Sequence, residues 1–147
     1  MPMNVRDNDR SNTQLVETFR QIVGARHVII NRHSMERFCR GYRSGTGTAL
    51  AVARPGSLVE QWKILKACIS ADKIVIMQAE NTSLTEGSTP SGTYDRDVVL
   101  ISTTRMDKIY LLGHGEQIVS LPGATLFSLE KLLAPRGRQP HSVIGSS

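Results

Sequence analysis

The segment from Gln78 to Pro90 concentrates residue types that bind phosphate groups through hydroxyls and backbone amides. Its hydroxyl-bearing residues are Thr82, Ser83, Thr85, Ser88 and Thr89. Gly87 permits a close approach of the backbone, and successive N–H groups of such a loop can form a concave donor array for an anion. The segment therefore predicts a diphosphate-binding loop or, on composition alone, an ordinary surface loop. The carboxylates of Glu80 and Glu86 oppose anion binding.

This loop follows the second strand of a predicted βαβ unit. Apolar runs at 49–53 and 74–77 predict two parallel strands that are buried on both faces. Between them, Ser57 and Glu60 form an S-x-x-E capping box that begins a helix ending near 71–73. The apolar stripe expected to face inward comprises Leu58, Trp62, Leu65, Ala67, Cys68 and Ile69. Because ligands bind beyond the carboxyl ends of parallel strands, this order places the loop beside a binding crevice.

The amino-terminal part predicts two further helices. Residues 1–11 are polar without an apolar period, which predicts a disordered terminus. From Asn12 the apolar residues recur at helical spacing, which predicts an amphipathic helix that ends at Gly24. The inward residues expected in this helix are Leu15, Phe19, Ile22 and Val23. A second, short helix within 26–43 is expected to place Met35, Phe38 and Tyr42 on one side.

The carboxyl-terminal part predicts strands followed by a helix. Residues 98–102 form an apolar run, and residues 109–112 and 117–120 flank a Gly-His-Gly turn, which predicts a hairpin. Residues 125–134 have a helical period and end at Pro135. The inward residues expected in that helix are Leu126, Leu129, Leu132 and Leu133. The whole chain is therefore expected to be of the α+β class.

The composition indicates one domain and restricts the class of protein. The 147 residues carry a formal net charge of +5, with eleven Lys and Arg against five Asp and Glu in residues 1–66. Such an excess can favour nucleic acid, anionic lipid or an anionic cofactor, or it can simply solvate a surface. The sequence contains no apolar stretch long enough to span a membrane and no secretory signal, which predicts synthesis in the cytosol.

The sequence lacks the motifs of several classes of enzyme and metal-binding protein. There is no Walker A loop, no complete dinucleotide fingerprint, no G-x-S-x-G elbow and no H-E-x-x-H zinc site. Cys39 and Cys68 have no CxxC partner or His cluster, so they are expected to be packing residues. His114 and His141 have no orienting partner in the pattern and are expected to be structural. No catalytic residue and no metal ligand is assigned.

Two long runs of sequence resemble a known family. The run from Arg54 to Thr103, followed by the run from Leu121 to Ser147, resembles the N-terminal part of the quinone-dependent D-lactate dehydrogenases. The similarity begins near Leu15 and covers nearly the whole chain. It implies the N-terminal part of a vanillyl-alcohol oxidase and p-cresol methylhydroxylase (PCMH) type FAD-binding domain, with a βαβ unit and further strands. That domain is expected to occupy 12–147 and to be incomplete at its C-terminal end.

The resemblance also implies the residues that bind FAD. The family pattern A-A-N-T-G-L-T-E-G-S falls on 79–88, where this chain reads AENTSLTEGS. The cofactor residues implied in this loop are Ala79, Glu80, Asn81, Thr82, Ser83, Gly87 and Ser88. Gly145 is implied by the beginning of a second flavin-binding segment. Because Glu80 replaces an alanine and Ser83 replaces a glycine, the resemblance implies weakened flavin affinity.

In the intact enzyme that the resemblance implies, D-lactate is oxidised to pyruvate by hydride transfer to FAD, and electrons then pass to quinone. The family is peripheral to the membrane, on the cytoplasmic side of the bacterial inner membrane, and no nucleic-acid partner is expected. The isolated chain is expected to be an inactive N-terminal fragment. Two alternatives stay open: an FAD-dependent dehydrogenase for another 2-hydroxy acid, or a non-enzymatic module that uses the basic residues of 20–43 to bind nucleic acid or lipid.

Overall fold

A computed structural model describes residues 5–140 of the chain as a mixture of helices and strands. The helices are α1 Val5–Val23, α2 Arg32–Cys39, α3 Leu58–Ser70 and α4 Leu126–Leu133. The strands are β1 Val28–Ile29, β2 Ala51–Ala53, β3 Ile74–Gln78, β4 Val98–Ser102, β5 Ile109–Leu112 and β6 Gln117–Ser120. The α+β prediction is confirmed.

Strands β1 to β4 form one sheet in the order β1-β2-β4-β3. Strands β2 and β3 both run parallel to β4, so the predicted β2-α3-β3 unit with parallel strands is confirmed. Its two strands are not neighbours, however, because β4 lies between them. Strand β4 is buried throughout, whereas β3 is an edge strand and its Met77 is 42% exposed. The prediction that β3 is buried on both faces is therefore wrong.

Helix α1 covers one face of this sheet and begins at Val5, not at Asn12. Residues 5–11, expected to be disordered, are therefore helical. The buried residues of α1 are Leu15, Val16, Phe19 and Val23, and they pack in one core with β2, β4 and α3. Gly24 ends the helix as predicted: it has a φ of 85° and donates its N–H to the carbonyl of Arg20.

Helix α3 has the predicted bounds but turns a different face to the core. Ile64 and Cys68 are its fully buried side chains, because they meet α1 and the sheet. The predicted stripe is largely wrong, since Leu58, Trp62, Leu65 and Ile69 are exposed. The Ser57 hydroxyl caps the helix by accepting from the N–H of Glu60 at 3.2 Å. The Glu60 carboxylate reaches the N–H of Gly56 at 2.7 Å, so the reciprocal half of the capping box is displaced by one residue.

A second, smaller core lies on the opposite face of the sheet, under α2. Met35, Phe38 and Cys39 pack there against β2 and β4. Tyr42 lies beyond the end of α2 and is 63% exposed, so its predicted place on the buried side is wrong. Both cysteines are free and buried, which confirms their packing role. Burial raises the pKa of the Cys68 thiol to about 12.

The predicted hairpin and final helix are both present. Strands β5 and β6 pair antiparallel, and α4 buries Leu129 and Leu133. The hydroxyl of Thr125 caps α4 by accepting from the N–H of Ser128 at 3.1 Å. His114 lies in the turn between the two strands with a φ of 56°. His141 falls outside the described residues.

Candidate cofactor site

The predicted phosphate-binding segment begins at Gln78, the last residue of β3, and from Ala79 onward it is a loop without helix or strand. A cleft of about 310 Å³ opens at this carboxyl edge of the parallel strands. Its lining residues are Arg37, Phe38, Arg54, Gln78, Ala79, Glu80, Asn81 and Thr104. They come from α2 and from the segments at the ends of β2, β3 and β4, so the topology gathers four separate parts of the chain. This position agrees with the crevice expected from the sequence.

Gln78 anchors both ends of the loop. Its side chain is only 2% exposed, and its amide nitrogen Nε2 donates to the carbonyl of Phe38 and to that of Ser88, each at 2.8 Å. One buried amide thus ties the end of β3 to α2 and to the far side of the loop. Gln78 is not among the residues predicted to bind the cofactor, although its place directly after the apolar run 74–77 was the available signal.

Asn81 holds the first turn of the loop. Its φ is 56°, a left-handed conformation that Asn tolerates better than most residues. Its Nδ2 donates to the carbonyl of Arg40 at 2.7 Å, and its Oδ1 accepts from the hydroxyl of Ser88 at 2.9 Å. Asn81 therefore connects the loop to the segment after α2 and closes the loop upon itself.

Ser83 and Gly87 face each other across the loop. The Ser83 hydroxyl accepts from the Gly87 N–H at 3.2 Å, and a Cβ placed on Gly87 would meet no atom closer than that hydroxyl, at 3.7 Å. Ser83 itself does not have a positive φ. Position 83 therefore has a backbone conformation that a serine adopts without strain. The effect of Ser83 is instead that its hydroxyl occupies the backbone N–H of Gly87.

Glu86 does not line the cleft and is bonded to the segment after α2. Its carboxylate accepts from the hydroxyl of Ser44 at 2.6 Å, and this hydrogen bond, with a second from Ser91, holds the pKa of Glu86 below its usual value. Gly45 has a φ of 80°, and an added Cβ would lie 2.6 Å from the Glu86 side chain. Of the two loop acids, Glu80 alone lines the cleft.

Most backbone donors of the loop have no acceptor among residues 5–140. Among residues 81–88, only the N–H of Gly87 finds an acceptor within the described part of the chain. Ala79, Glu80 and Asn81 line the cleft, and Ser88 is bonded to Asn81, so the structure brings these predicted residues together. Thr82 is exposed on the same loop and is not part of the cleft lining. Gly145 lies outside the described residues.

Positive charge at the cleft comes from arginines that the sequence analysis did not assign to the site. Arg54 directly follows β2, Arg37 lies on α2, and both line the cleft. Burial lowers the pKa of Arg54, and the charges of Arg37 and Arg105 lower it further. From the sequence, the basic excess of residues 1–66 predicts either an anion-binding surface or a solvated one, with no arginine singled out. For Arg54, the signal was its place at the carboxyl end of a parallel strand.

The chain is similar in sequence to curated proteins of known activity. No protein-family model matches the chain. Curated quinone-dependent D-lactate dehydrogenases are similar to it: that of Escherichia coli (strain K12) is 57% identical over 137 residues, and that of Haemophilus influenzae (strain ATCC 51907 / DSM 11121 / KW20 / Rd) is 53% identical over 135 residues. The chain is homologous to quinone-dependent D-lactate dehydrogenases. These alignments cover 92% and 91% of this chain and 24% of each relative, so the chain spans about a quarter of their length.

Solved structures establish the fold of this homologue. An alkyldihydroxyacetonephosphate synthase aligns with a TM-score of 0.72 and 15% identity, over 85% of this chain and 25% of that one. A p-cresol methylhydroxylase aligns with a TM-score of 0.66 and 13% identity, over 87% of this chain and 25% of that one. The described residues therefore have the fold of a PCMH-type FAD-binding domain, as the resemblance implied.

Two structural features are absent from the part of the chain that the structure describes. No helix among the described residues is long and apolar enough to cross a membrane. Within the same residues, no three His, Cys, Asp or Glu side chains form a group that could hold a metal ion.

Proposed function

We propose that the chain binds FAD and forms the flavin-binding part of a D-lactate dehydrogenase that delivers electrons to quinone. The observation that carries this proposal is a loop at the carboxyl end of parallel strands whose backbone amides at 81–86 have no acceptor in the described part of the chain. The fold around it is shared with p-cresol methylhydroxylase. Ala79, Glu80, Asn81, Thr82, Ser83, Gly87 and Ser88 would surround the diphosphate. Gly145 would add a second contact from beyond the described residues.

The loop fits a diphosphate on three points. Its amides between 81 and 86 have no acceptor in the described chain, so an anion would satisfy them. Gly87 has no side chain, and the nearest atom to an added Cβ would be the Ser83 hydroxyl at 3.7 Å, so the backbone is accessible to a ligand. The bonds from Gln78 and Asn81 hold the loop in place before any ligand arrives, which lowers the entropic cost of binding.

The chemistry that FAD supplies when bound is acceptance of a hydride from the 2-hydroxy acid. The residues described here would hold and orient the cofactor. D-Lactate and quinone are proposed for the whole enzyme from the names of the relatives. Attachment to the membrane surface is proposed from the family resemblance alone. Another 2-hydroxy acid is compatible with the same cofactor-binding part.

The experiment is a titration of the chain with FAD, followed by flavin fluorescence, beside a titration with riboflavin. Riboflavin carries the same ring system without the diphosphate and adenosine. If the loop binds the diphosphate, FAD is expected to bind at least about tenfold more tightly than riboflavin, because charge-assisted hydrogen bonds to phosphate are lost. Equal affinities, or no binding of FAD, would contradict the proposal. A double variant Asn81→Ala, Ser88→Ala is expected to lose the difference.

A further inference from the structure

Arg54 is a partly buried cation whose hydrogen-bonding capacity is incompletely used. Its Nε is buried and has no hydrogen-bond acceptor among the described residues. Neither Arg54 nor Arg37 has a carboxylate within ion-pair distance in that part of the chain. The other close cation, Arg105, lies 3.9 Å from the Glu60 carboxylate and donates to the backbone carbonyl of Arg54. The charge of Arg105 is therefore partly balanced, and that of Arg54 is not.

Arg37 approaches the same cleft from the opposite element. Its guanidinium lies over the ring of Phe38, 4.7 Å from the centroid, and Phe38 also lines the cleft. This stacking fixes the plane of the guanidinium and leaves its N–H edges available. Two cations from β2 and α2 thus converge on one cleft, although their mutual repulsion and the burial of Arg54 both cost free energy.

We infer that Arg37 and Arg54 form a phosphoryl-anion subsite in this cleft, which the first loop residues, Ala79 to Asn81, also line. The inference rests on the proposed function in that it assigns to these arginines the diphosphate of a flavin nucleotide. Guanidinium groups present paired N–H donors that match phosphate oxygens, and a bound anion would balance two positive charges that have no carboxylate partner in the described chain. The cleft, at about 310 Å³, is at the lower end of ligand-site volumes, so it suits the phosphoryl part and not a whole dinucleotide.

The subsite also explains how a loop containing acids can bind an anion. Glu80 lines the cleft beside the two arginines, yet no ion pair joins it to either of them in the described chain. The two positive charges outweigh the one negative charge at the place where a phosphoryl group would lie. The arginines are therefore binding residues contributed from outside the loop.

The test uses the full chain, inorganic pyrophosphate and FAD as separate probes, and calorimetric titration. The variants are Arg54→Gln and Arg37→Gln, with Arg10→Gln as the control, because Arg10 is exposed on α1 and its loss changes the net charge equally. Each cleft variant is expected to bind both probes about tenfold more weakly, and the control to remain within about twofold of the original chain. Arg54→Lys is expected to recover part of the loss, since it keeps the charge but not the paired donors.

The outcomes separate this inference from the proposed function. If FAD and pyrophosphate bind the original chain and both cleft variants equally, the subsite is overturned while the proposed function stands. If pyrophosphate binding depends on the arginines but FAD does not bind, the subsite stands and the proposed function fails. If neither probe binds the original chain, both are overturned. Circular dichroism checks that each variant folds. If Arg54→Gln unfolds, the same outcomes are read from Arg37→Gln alone, because Arg37 is exposed and its substitution does not disturb the core.

Discussion

The hydroxyl of Ser83 accepts a hydrogen bond from the backbone N–H of Gly87 at 3.2 Å. A loop donor that could serve a phosphate is therefore already occupied by a side chain of the same loop. Any anion that uses this amide must first displace the hydroxyl, which reduces its net binding free energy.

Ser83→Gly is accordingly expected to strengthen FAD binding by about three- to tenfold, the value of one hydrogen bond. Fluorescence titration measures the change. Ser83→Ala is the matched variant, because it removes the hydroxyl but keeps the Cβ. Similar gains in both variants would identify the hydroxyl as the cause, and an unchanged affinity in both would show that Gly87 does not contact the phosphate.

Glu80→Ala is expected to raise FAD affinity about threefold at low salt, because the Glu80 carboxylate lines the cleft that receives the anion. The gain should shrink as salt rises, since the side chain is exposed and its charge is screened. Glu130→Ala, an exposed position on α4, serves as the control for net charge. A gain of the same size in Glu130→Ala would assign the effect to overall charge and not to the cleft.

Asn81→Ala is expected to destabilise the chain by about 1–2 kcal/mol, because it removes the bonds to Arg40 and Ser88 and puts Ala in a left-handed conformation. Asn81→Gly removes the same bonds but tolerates the positive φ, so its loss should be smaller. Urea unfolding gives both values. Equal stability of all three proteins would contradict the role of Asn81 as the anchor of the loop.

A pH dependence is expected from the ion pair at the other end of the sheet. Lys73 Nζ lies 2.8 Å from the carboxylate of Asp97, with the Lys73 side chain 5% exposed and that of Asp97 36% exposed. The hydrogen bond from Lys73 holds the pKa of Asp97 below its usual 3.8. Because the folded-state pKa is the lower one, this stabilisation is present above pH 3.8 and is lost as the pH falls through the folded-state value.

Asp97→Asn is therefore expected to lower the free energy of unfolding by about 2 kcal/mol at pH 7, since it leaves a buried ammonium without its counter-ion. Below pH 3.8 the difference from the original chain should narrow. Asp72→Asn is the control, because Asp72 pairs with Arg96 at an exposed position. Thermal melts at a series of pH values measure the stability of each variant relative to the original chain. A difference that stays constant into acid would contradict the assignment.

Local sequence signals predicted the elements well, but not the faces that they bury. The Ser57 cap and the apolar period placed α3 correctly, yet the period could not tell Ile64 from Trp62 as the inward residue. That choice depends on where α1 lies, and the neighbouring helix is not encoded within the α3 segment. Likewise the insertion of β4 between β2 and β3, which makes β3 an edge strand, follows from long-range pairing alone.

The site residues that are adjacent in sequence could be predicted. Those that the fold brings together from distant parts of the sequence could not. The loop from Ala79 to Ser88 could be proposed from its residue types and from the family resemblance. The roles of Gln78 and Arg54 could not, because each depends on a partner or neighbour about 10 to 50 residues away. Both lie at the last residue of a parallel strand or just beyond it, the position at which the sheet directs side chains towards a ligand.

The most direct test of the central claim maps the backbone amides that respond to ligand. Nitrogen-15 NMR spectra of the chain should be recorded with FAD, with inorganic pyrophosphate and with riboflavin. We expect the amide resonances of residues 82–87 to shift with FAD and with pyrophosphate, and to stay in place with riboflavin. Shifts that spare this loop, or that gather instead in the larger cavity between α2 and residues 46–50, would contradict the claim.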